Sequence, residues 1–369
     1  VKIAFCLFKY FPFGGLERDC LQIAEACSAR GHKVDIYTMA WKGDLPENIK
    51  VTIIPAAGFT NHRQRENFVK SIEPFLQKRD YDAVVGFNKM PFLDLYYAAD
   101  PCYAVKAASR SLFYRMTGRC KSNLEMEQDV FGKDSHTHIL SISHQQQALY
   151  INYYGTDQER FHTLSPGISK DRIITGEIAA IRKQVRKEFS IGHNENILLM
   201  VGSGYKRKGV DRSILALASL PPDIYHKTFL LVAGEDKIKP FKRLAVQAGV
   251  AERVNFLGGR NDIPKLLAAS DILLHPAYHE NTGTVLIEAL AAGLPVIVTE
   301  VCGYSFHIKN ADAGKIIPSP FKQETFNNIL LSMLTAETKE DWRNNGKQYA
   351  AGMEIFRMPE KIADIIEKL

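Results

Sequence analysis

Short continuous apolar runs alternate along this chain with stretches whose apolar residues recur every three to four positions. Lys2–Phe8 is a run of strand length, and Leu16–Arg30 follows with Leu16, Cys20, Ile23, Ala24 and Cys27 at helical spacing. Gly31 stops that helix. Val34–Thr38, Val51–Ile54, Asp82–Phe87, Leu95–Ala99 and His138–Ile142 read as further strands. A turn-rich stretch, Ser165-Pro166-Gly167-Ile168, and a charged helical segment, Glu177–Phe189, then separate two regimes. Beyond them Ile197–Val201, Thr228–Ala233, Val254–Leu257, Ile272–His275, Pro295–Val298 and Lys315–Ile317 are expected strands, most with helical patterns between them. Continuous apolar strands joined by helices predict parallel sheets covered on both faces. The expectation is an α/β protein of two Rossmann-like, doubly wound domains facing a central cleft. Residues 1–165 form the first, residues 166–345 the second, and a helical segment, 346–369, packs back on the first.

The 369 residues suit two domains at about 100–200 residues each. A hydrophobic fraction of 46% and a charged fraction of 24% exclude disorder as the main state. A membrane-spanning helix needs about 20 nearly uninterrupted apolar residues. The nearest approach, Thr284–Thr299, is broken by Glu288, Gly293 and Pro295, and no signal-peptide pattern opens the sequence given. A net charge of +6 suits anionic ligands or an anionic surface. With no zinc-knuckle, RNP-like or basic-zipper pattern, no nucleic-acid partner is expected. None of the cysteines forms a C-x-x-C pair, so buried thiols in a reducing cytoplasm are expected.

In doubly wound sheets, ligands bind beyond the carboxyl ends of the strands. The loops after Phe8, Phe87, Ala99, Val201, Ala233, Leu257 and His275 are therefore expected to carry the chemistry. Gly14-Gly15 joins the first strand to the first helix, where small residues and free amides suit a phosphate. The dinucleotide fingerprint G-x-G-x-x-G is absent there, which argues against a dehydrogenase. Lys206-Arg207-Lys208-Gly209 follows the first strand of the second half and suits a diphosphate. Glu280 and Glu288 bracket Asn281, Thr282, Gly283 and Thr284, whose amides open a helix. That helix is apolar on nearly all sides, so Glu288 is expected to be buried and to need a partner. Asp100 ends its strand and is a candidate for orienting acceptor or sugar.

Gly14-Gly15-Leu16-Glu17-Arg18, the Lys208-Gly209 loop and Glu280-x7-Glu288 followed by Ala-Leu-Ala-Ala-Gly-Leu-Pro-Val resemble the retaining glycosyltransferases of family 4, which have the GT-B fold. The resemblance runs from the first strand to about residue 320. More narrowly, Phe5–Leu16, Val84–Pro91 and Leu274–Tyr278 resemble the lipopolysaccharide-core glucosyltransferases. This resemblance implies transfer of glucose from UDP-glucose onto a heptose of the inner core, with an acceptor domain first and a donor domain second. It implies that Glu280 meets the donor sugar, Glu288 the ribose, Arg207, Lys208, Gly14 and Gly15 the diphosphate, and Arg260 and Asn261 the uracil edge. Ser203 departs from the pattern, since the family commonly has arginine there. Another nucleotide sugar, a capsule or lipid-linked glycan acceptor, or a nucleotide-sugar 2-epimerase are the alternatives. A non-catalytic two-lobed binding protein would have no reason to combine Glu280, Glu288 and the basic loop.

Asp80-Tyr81-Asp82 has the D-x-D form of a metal motif but precedes its strand, so it reads as a loop, and no required metal or other cofactor is expected. His62 and Arg63 are candidates for meeting an acceptor sugar. Residues 103–122 hold Lys106, Arg110, Arg115, Arg119 and Lys121, no acidic residue, and Leu112, Phe113, Tyr114 and Met116 among the cations. Such a segment suits an anionic inner-membrane surface and implies a cytoplasmic protein peripheral on that face.

Overall fold

The structure, a computed structural model, describes every residue except Phe13, Arg79, Asp80 and Thr175. The chain divides into a first unit, Val1–Gly167 with Arg357–Leu369, and a second, Ile168–Phe356. The first holds β1 (Lys2–Cys6), β2 (Lys9–Tyr10), β3 (Lys33–Thr38), β4 (Ala40–Trp41), β5 (Lys50–Ile53), β6 (Ala83–Gly86), β7 (Leu95–Ala98), β8 (His138–Ser141) and β9 (Phe161–Thr163). Its main sheet is parallel in the order β5-β3-β1-β6-β7-β8-β9, with β2 and β4 paired separately. The second unit holds β10 (Asn196–Val201), β11 (Thr228–Ala233), β12 (Val254–Gly258), β13 (Ile272–His275), β14 (Val296–Thr299) and β15 (Gly314–Ile317), parallel in the order β12-β11-β10-β13-β14-β15.

Both sheets wind outward from a first strand to one edge and then return to its other side. The reversal falls between β1 and β6 in the first sheet and between β10 and β13 in the second. Loops leaving those neighbouring strands at their carboxyl ends diverge to opposite faces and leave a crevice, the switch point of a doubly wound sheet. Burial on both faces explains the unbroken apolar strands. Leu199, Leu231 and Leu273 pack on one side of the second sheet with Leu286 and Leu290, and Leu198, Leu230 and Leu274 on the other with Ile214 and Leu330.

Every strand expected from the sequence is present within two residues at either end. β9 lacked a signal because it is a three-residue edge strand, Phe-His-Thr, held by pairing with β8 rather than by an apolar run. The basic stretch is not one helix. Ser111 and Thr117 accept hydrogen bonds from Tyr114 N and Cys120 N as N-caps, and divide it into Tyr103–Ala108, Leu112–Arg115 and Gly118–Phe131. The expected boundary at residue 345 falls inside the helix Lys339–Ala351, whose Trp342, Gly346 and Ala350 are buried and which packs on Thr284–Ala292 of the same unit. The chain rejoins the first unit at Arg357, and Met358–Ile366 packs on the helix Gly15–Ala29. Arg30 fastens it to Asp364 at 2.6 Å and to Glu367 at 3.3 Å. All six cysteines are free and buried.

At the amino end of the second sheet one carboxylate holds the switch-point strands together. Asp271 accepts from Ile197 N at 2.8 Å and pairs with Arg182 at 2.5 Å, Arg186 at 2.7 Å and Arg343 at 3.6 Å. Arg186 is itself buried. Removing the carboxylate strands buried guanidinium charge, so Asp271→Ala is expected to destabilise this unit by about 3–5 kcal/mol. Urea unfolding followed by Trp342 fluorescence, with Trp41 replaced by Phe, measures it.

Candidate active site

The carboxyl ends of β10 and β13 carry the charged residues singled out in the sequence. After β10 the chain passes Gly202-Ser203-Gly204 and makes a single helical turn, Tyr205–Lys208. Tyr205 anchors that turn, with its N–H donating to Asp236 at 2.6 Å and its hydroxyl to Gly234 O at 2.5 Å. Ser203 accepts from Glu235 N at 3.1 Å, so the residue that departs from the family pattern ties two loops together. Gly209 is left-handed, φ 79°, and a Cβ there would collide with Pro276 O. Only glycine lets the basic turn lie directly against the loop after β13. Tyr278 N donates to Arg207 O at 2.9 Å across the same contact.

Two of the three basic residues converge on one carboxylate. Glu280 lies 2.5 Å from Arg207 Nη1 and 2.5 Å from Lys208 Nζ, and His275 Nε2 is 3.6 Å away. Lys206 turns elsewhere, to Asp211 at 2.5 Å and the Tyr278 hydroxyl at 3.1 Å. Burial by itself would raise the Glu280 carboxyl, but His275, Lys208 and Arg207 outweigh it and hold the group well below the usual carboxylate range. Burial, with Lys208 next to it, pushes the His275 imidazole down, so that ring is neutral near pH 7. The result is an anion fixed between two cations, with Arg207 and Lys208 held side by side.

The next residues are clamped by the segment after β14. Gly303 N donates to Glu280 O at 3.2 Å, and Tyr304 N to Thr282 O at 2.8 Å. Gly283, at φ 90°, is the N-cap of Thr284–Ala292, and a Cβ on it would lie 2.7 Å from Cys302 Sγ. Asn281 is buried beside this turn. Glu288 is 4% exposed, as the all-round apolar helix requires, and Arg172 Nε lies 3.8 Å from its carboxylate. Arg172 carried no signal in the sequence. It lies far away along the chain, in a short 3-10 turn, Lys170–Arg172, and only packing of that turn within the second unit, against the helix Ile263–Ala269, brings it near Glu288.

Arg260 and Asn261 follow the edge strand β12, two strands from the switch point. The Arg260 guanidinium is engaged by Asp262 at 2.6 Å and Glu188 at 2.9 Å, and Asn261 is exposed. The remaining candidates lie in the first unit. Gly14 is buried beneath the Glu17 side chain, which folds back over it, and Gly15 is open. Asp100 is exposed, and its carbonyl accepts from Tyr150 at 2.9 Å. His62 and Arg63 share the helix Asn61–Gln77, but Arg63 is exposed and pairs with Glu66 at 2.9 Å. Their neighbours Asn61, Gln64 and Arg65 line a cavity instead, because a 3.6-residue period turns those positions inward together with buried Phe68. Within the D-x-D, Asp80 lies outside the described residues, and Asp82 accepts from Lys2 N at 2.7 Å at the amino edge of the sheet. Among the described residues no group of three or more His, Cys, Asp or Glu is arranged to hold a metal.

The family model for Glycosyltransferase Family 4 matches residues 13–172, and that for Glycosyl transferases group 1 matches residues 181–349. The lipopolysaccharide glucosyltransferase WaaG of Escherichia coli (strain K12) is 45% identical over 366 residues, covering 99% of this chain and 98% of that protein. This chain belongs to the family 4 glycosyltransferases of the GT-B fold. A crystal structure of WaaG, described as a glycosyltransferase involved in lipopolysaccharide biosynthesis, superposes on this glycosyltransferase with a TM-score of 0.95 at 44% identity, covering 99% of each chain. Anabaena Alr3699/HepE, crystallised with UDP and glucose, is 20% identical with a TM-score of 0.79 over all of both chains and shares the fold alone. As a glycosyltransferase the protein binds a nucleotide sugar and an acceptor.

One titration in the first unit follows from geometry. Burial, then the nearby charges of Asp19 and Asp100, raise the Glu17 carboxyl to about 7. The folded protein therefore keeps this proton up to about pH 7, whereas the unfolded chain loses it near 4.5. Between those values the folded state binds more protons, so its stability falls as pH rises. Glu17→Gln is expected to be more stable than the unaltered protein at pH 8 by about 1–3 kcal/mol, with the difference gone at pH 4. Urea unfolding followed by Trp41 fluorescence in a Trp342→Phe background measures it.

Proposed function

We propose that this enzyme moves glucose from UDP-glucose onto a heptose of the lipopolysaccharide inner core, with retention of configuration. The observation that carries this reading is the 45% identity, over almost the whole of both chains, to a protein named as a lipopolysaccharide glucosyltransferase. In the transfer, the bond between the anomeric carbon and the diphosphate oxygen breaks, and negative charge grows on the departing diphosphate. Arg207 and Lys208, already gathered by Glu280, are suited to receive it. Glu280 stays ionised through the physiological range and can hold donor hydroxyls at the reacting face. Glu288 with Arg172 suits the ribose hydroxyls, the amides of Asn281–Thr284 a further hydroxyl or phosphate, and Arg260 and Asn261 the base edge. These cations meet the leaving charge without a metal, and Asp100 orients sugar or acceptor.

Glu280→Ala is expected to cut turnover with UDP affinity nearly unchanged. Glu288→Ala is expected to weaken UDP binding by about 1–3 kcal/mol, the usual range for a hydrogen bond to a charged group. Calorimetry with UDP and a glucose-transfer assay separate the two, and the transfer rate should be the same in EDTA. Unchanged UDP affinity in Glu288→Ala would remove Glu288 from the donor site.

We place the reaction at the cytoplasmic face of the inner membrane. Among the described residues no helix is long and apolar enough to cross a membrane. The support is the basic segment, where Lys106, Arg110, Arg115, Arg119 and Lys121 are all exposed around Leu112, Phe113 and Met116, which are 72%, 86% and 71% exposed. Apolar tips ringed by cations suit shallow insertion among anionic headgroups, at about 1 kcal/mol per basic residue. Sedimentation should show binding to anionic liposomes, weak binding to neutral ones and release at high salt. Reversing Arg110, Arg115 and Arg119 to Glu should abolish the binding.

A further inference from the structure

Phe59 is more exposed than any other large apolar side chain among the described residues. It sits in the loop between β5 and the helix Asn61–Gln77. That loop is tied down rather than loose. Gln64 Nε2 donates to Gly58 O at 2.9 Å and Asn67 Nδ2 donates to Ala57 O at 2.8 Å, so two side chains of the following helix hold the residues just before Phe59. A Cβ on Gly58 would lie 2.9 Å from Gln64 N, so the chain passes this close to the helix only with glycine there. The loop presents the ring to water by construction, and the ring adds nothing to the core of its own unit.

Its position in the fold gives that exposure a meaning. The helix Asn61–Gln77 packs on the helix Gly118–Phe131, and the two meet at their first turns, where a Cβ on Gly118 would lie 3.5 Å from His62 Nε2. Phe59 is three residues before His62, and exposed Met116 is two residues before Gly118. The loop and the basic segment therefore rise side by side from one helix contact. The basic segment is held from within in the same manner, since the Tyr114 hydroxyl meets that of Tyr103 at 2.8 Å while Leu112 and Phe113 stay exposed. Single exposed apolar residues are ordinary, but a cluster rimmed by charge marks a surface that meets something. Here the rim is Lys106, Arg110, Arg115, Arg119 and Lys121, and neither residues 103–122 nor residues 54–62 contain an acidic side chain. That charge suits an anionic bilayer. The carbonyls of Ala57 and Gly58 are already satisfied by Asn67 and Gln64, which lowers the cost of taking this backbone out of bulk water.

We infer that Phe59 is a second membrane anchor, which enters the headgroup boundary of an anionic bilayer beside Leu112, Phe113 and Met116. The inference rests on the placement at the membrane proposed above and deepens it: the protein stands on two separate chain segments, not on the basic segment alone. The cations supply attraction to the surface, and the ring supplies apolar burial that salt does not screen. Two contacts also resist rotation about either one, so the first unit meets the membrane in one orientation.

All six native cysteines are buried, so Phe59→Cys gives one reactive thiol for an environment-sensitive dye on the whole chain. Phe75→Cys is the reference, exposed at the other end of the same helix and about 20 Å away. On liposomes of phosphatidylglycerol and phosphatidylethanolamine the dye at position 59 should shift to the blue and be quenched by spin-labelled lipid, and the dye at position 75 should do neither. Phe59→Ser should weaken binding to these liposomes about tenfold, the loss of one inserted aromatic side chain, with the salt dependence and the melting temperature unchanged. Phe59→Trp should keep the affinity. If the unaltered protein binds but the dye at position 59 does not shift, or Phe59→Ser binds as tightly, the second anchor is overturned and the basic segment stands as the sole contact. A blue shift that grows with protein concentration in the absence of lipid would give the ring to a second copy of the chain and overturn it as well. Failure of the unaltered protein to bind anionic liposomes would instead overturn the proposed membrane placement, and this inference with it.

Discussion

The pairing of β10 with β13 is the constraint on which the charged cluster of the second unit depends. These strands are neighbours in the sheet but not in the chain, and between them the winding direction reverses. At their amino ends Asp271 gathers three arginines and the Ile197 N–H. At their carboxyl ends Glu280 gathers Arg207 and Lys208. One strand pair thus has a structural ion cluster at its base and a chemical one at its top.

The chemical cluster follows a simple electrostatic plan. The Glu280 carboxylate and the Lys208 ammonium are largely withdrawn from water together, with half-exposed Arg207 at their rim, so that their charges compensate one another. Glu288 and Arg172 repeat the plan one helix further in. In the first unit the arrangement is reversed. Lys9 and Arg65 line their cavity without a carboxylate partner among the described residues, and burial raises the Glu17 carboxyl to about 7.

The chain crosses between units twice, after Gly167 and after Phe356. Its last helix, Met358–Ile366, closes the first unit by packing on Gly15–Ala29, the helix that begins at the glycine turn. The final residues therefore support the same helix whose first turn carries Glu17. The basic segment is supported in a comparable way, since buried Glu127 accepts from Tyr103 N at 2.8 Å and pairs with Lys89 at 3.3 Å. A buried pair at its root leaves the exposed tips free to meet a surface.

The sequence alone determined the order of strands and helices, because burial on both faces of a parallel sheet demands unbroken apolar runs, and those are visible without coordinates. It also marked Gly14-Gly15, the Arg207-Lys208 turn and Glu280-x7-Glu288, because each lies within one loop or helix where local spacing carries meaning. The buried state of Glu288 was legible for the same reason, from its apolar neighbours on every side. Tertiary structure decided which charges meet. Arg172 reaches Glu288 and Glu188 engages Arg260 through contacts between residues remote in the chain, and the Glu17 carboxyl is raised chiefly by the burial that packing imposes. His62 and Arg63 were chosen from residue type, whereas the helix turned Gln64 and Arg65 to the cavity, because the rotation of a helix is set by the core it packs on. A one-dimensional pattern reports what a segment must bury, and partners are chosen only when the buried faces come together.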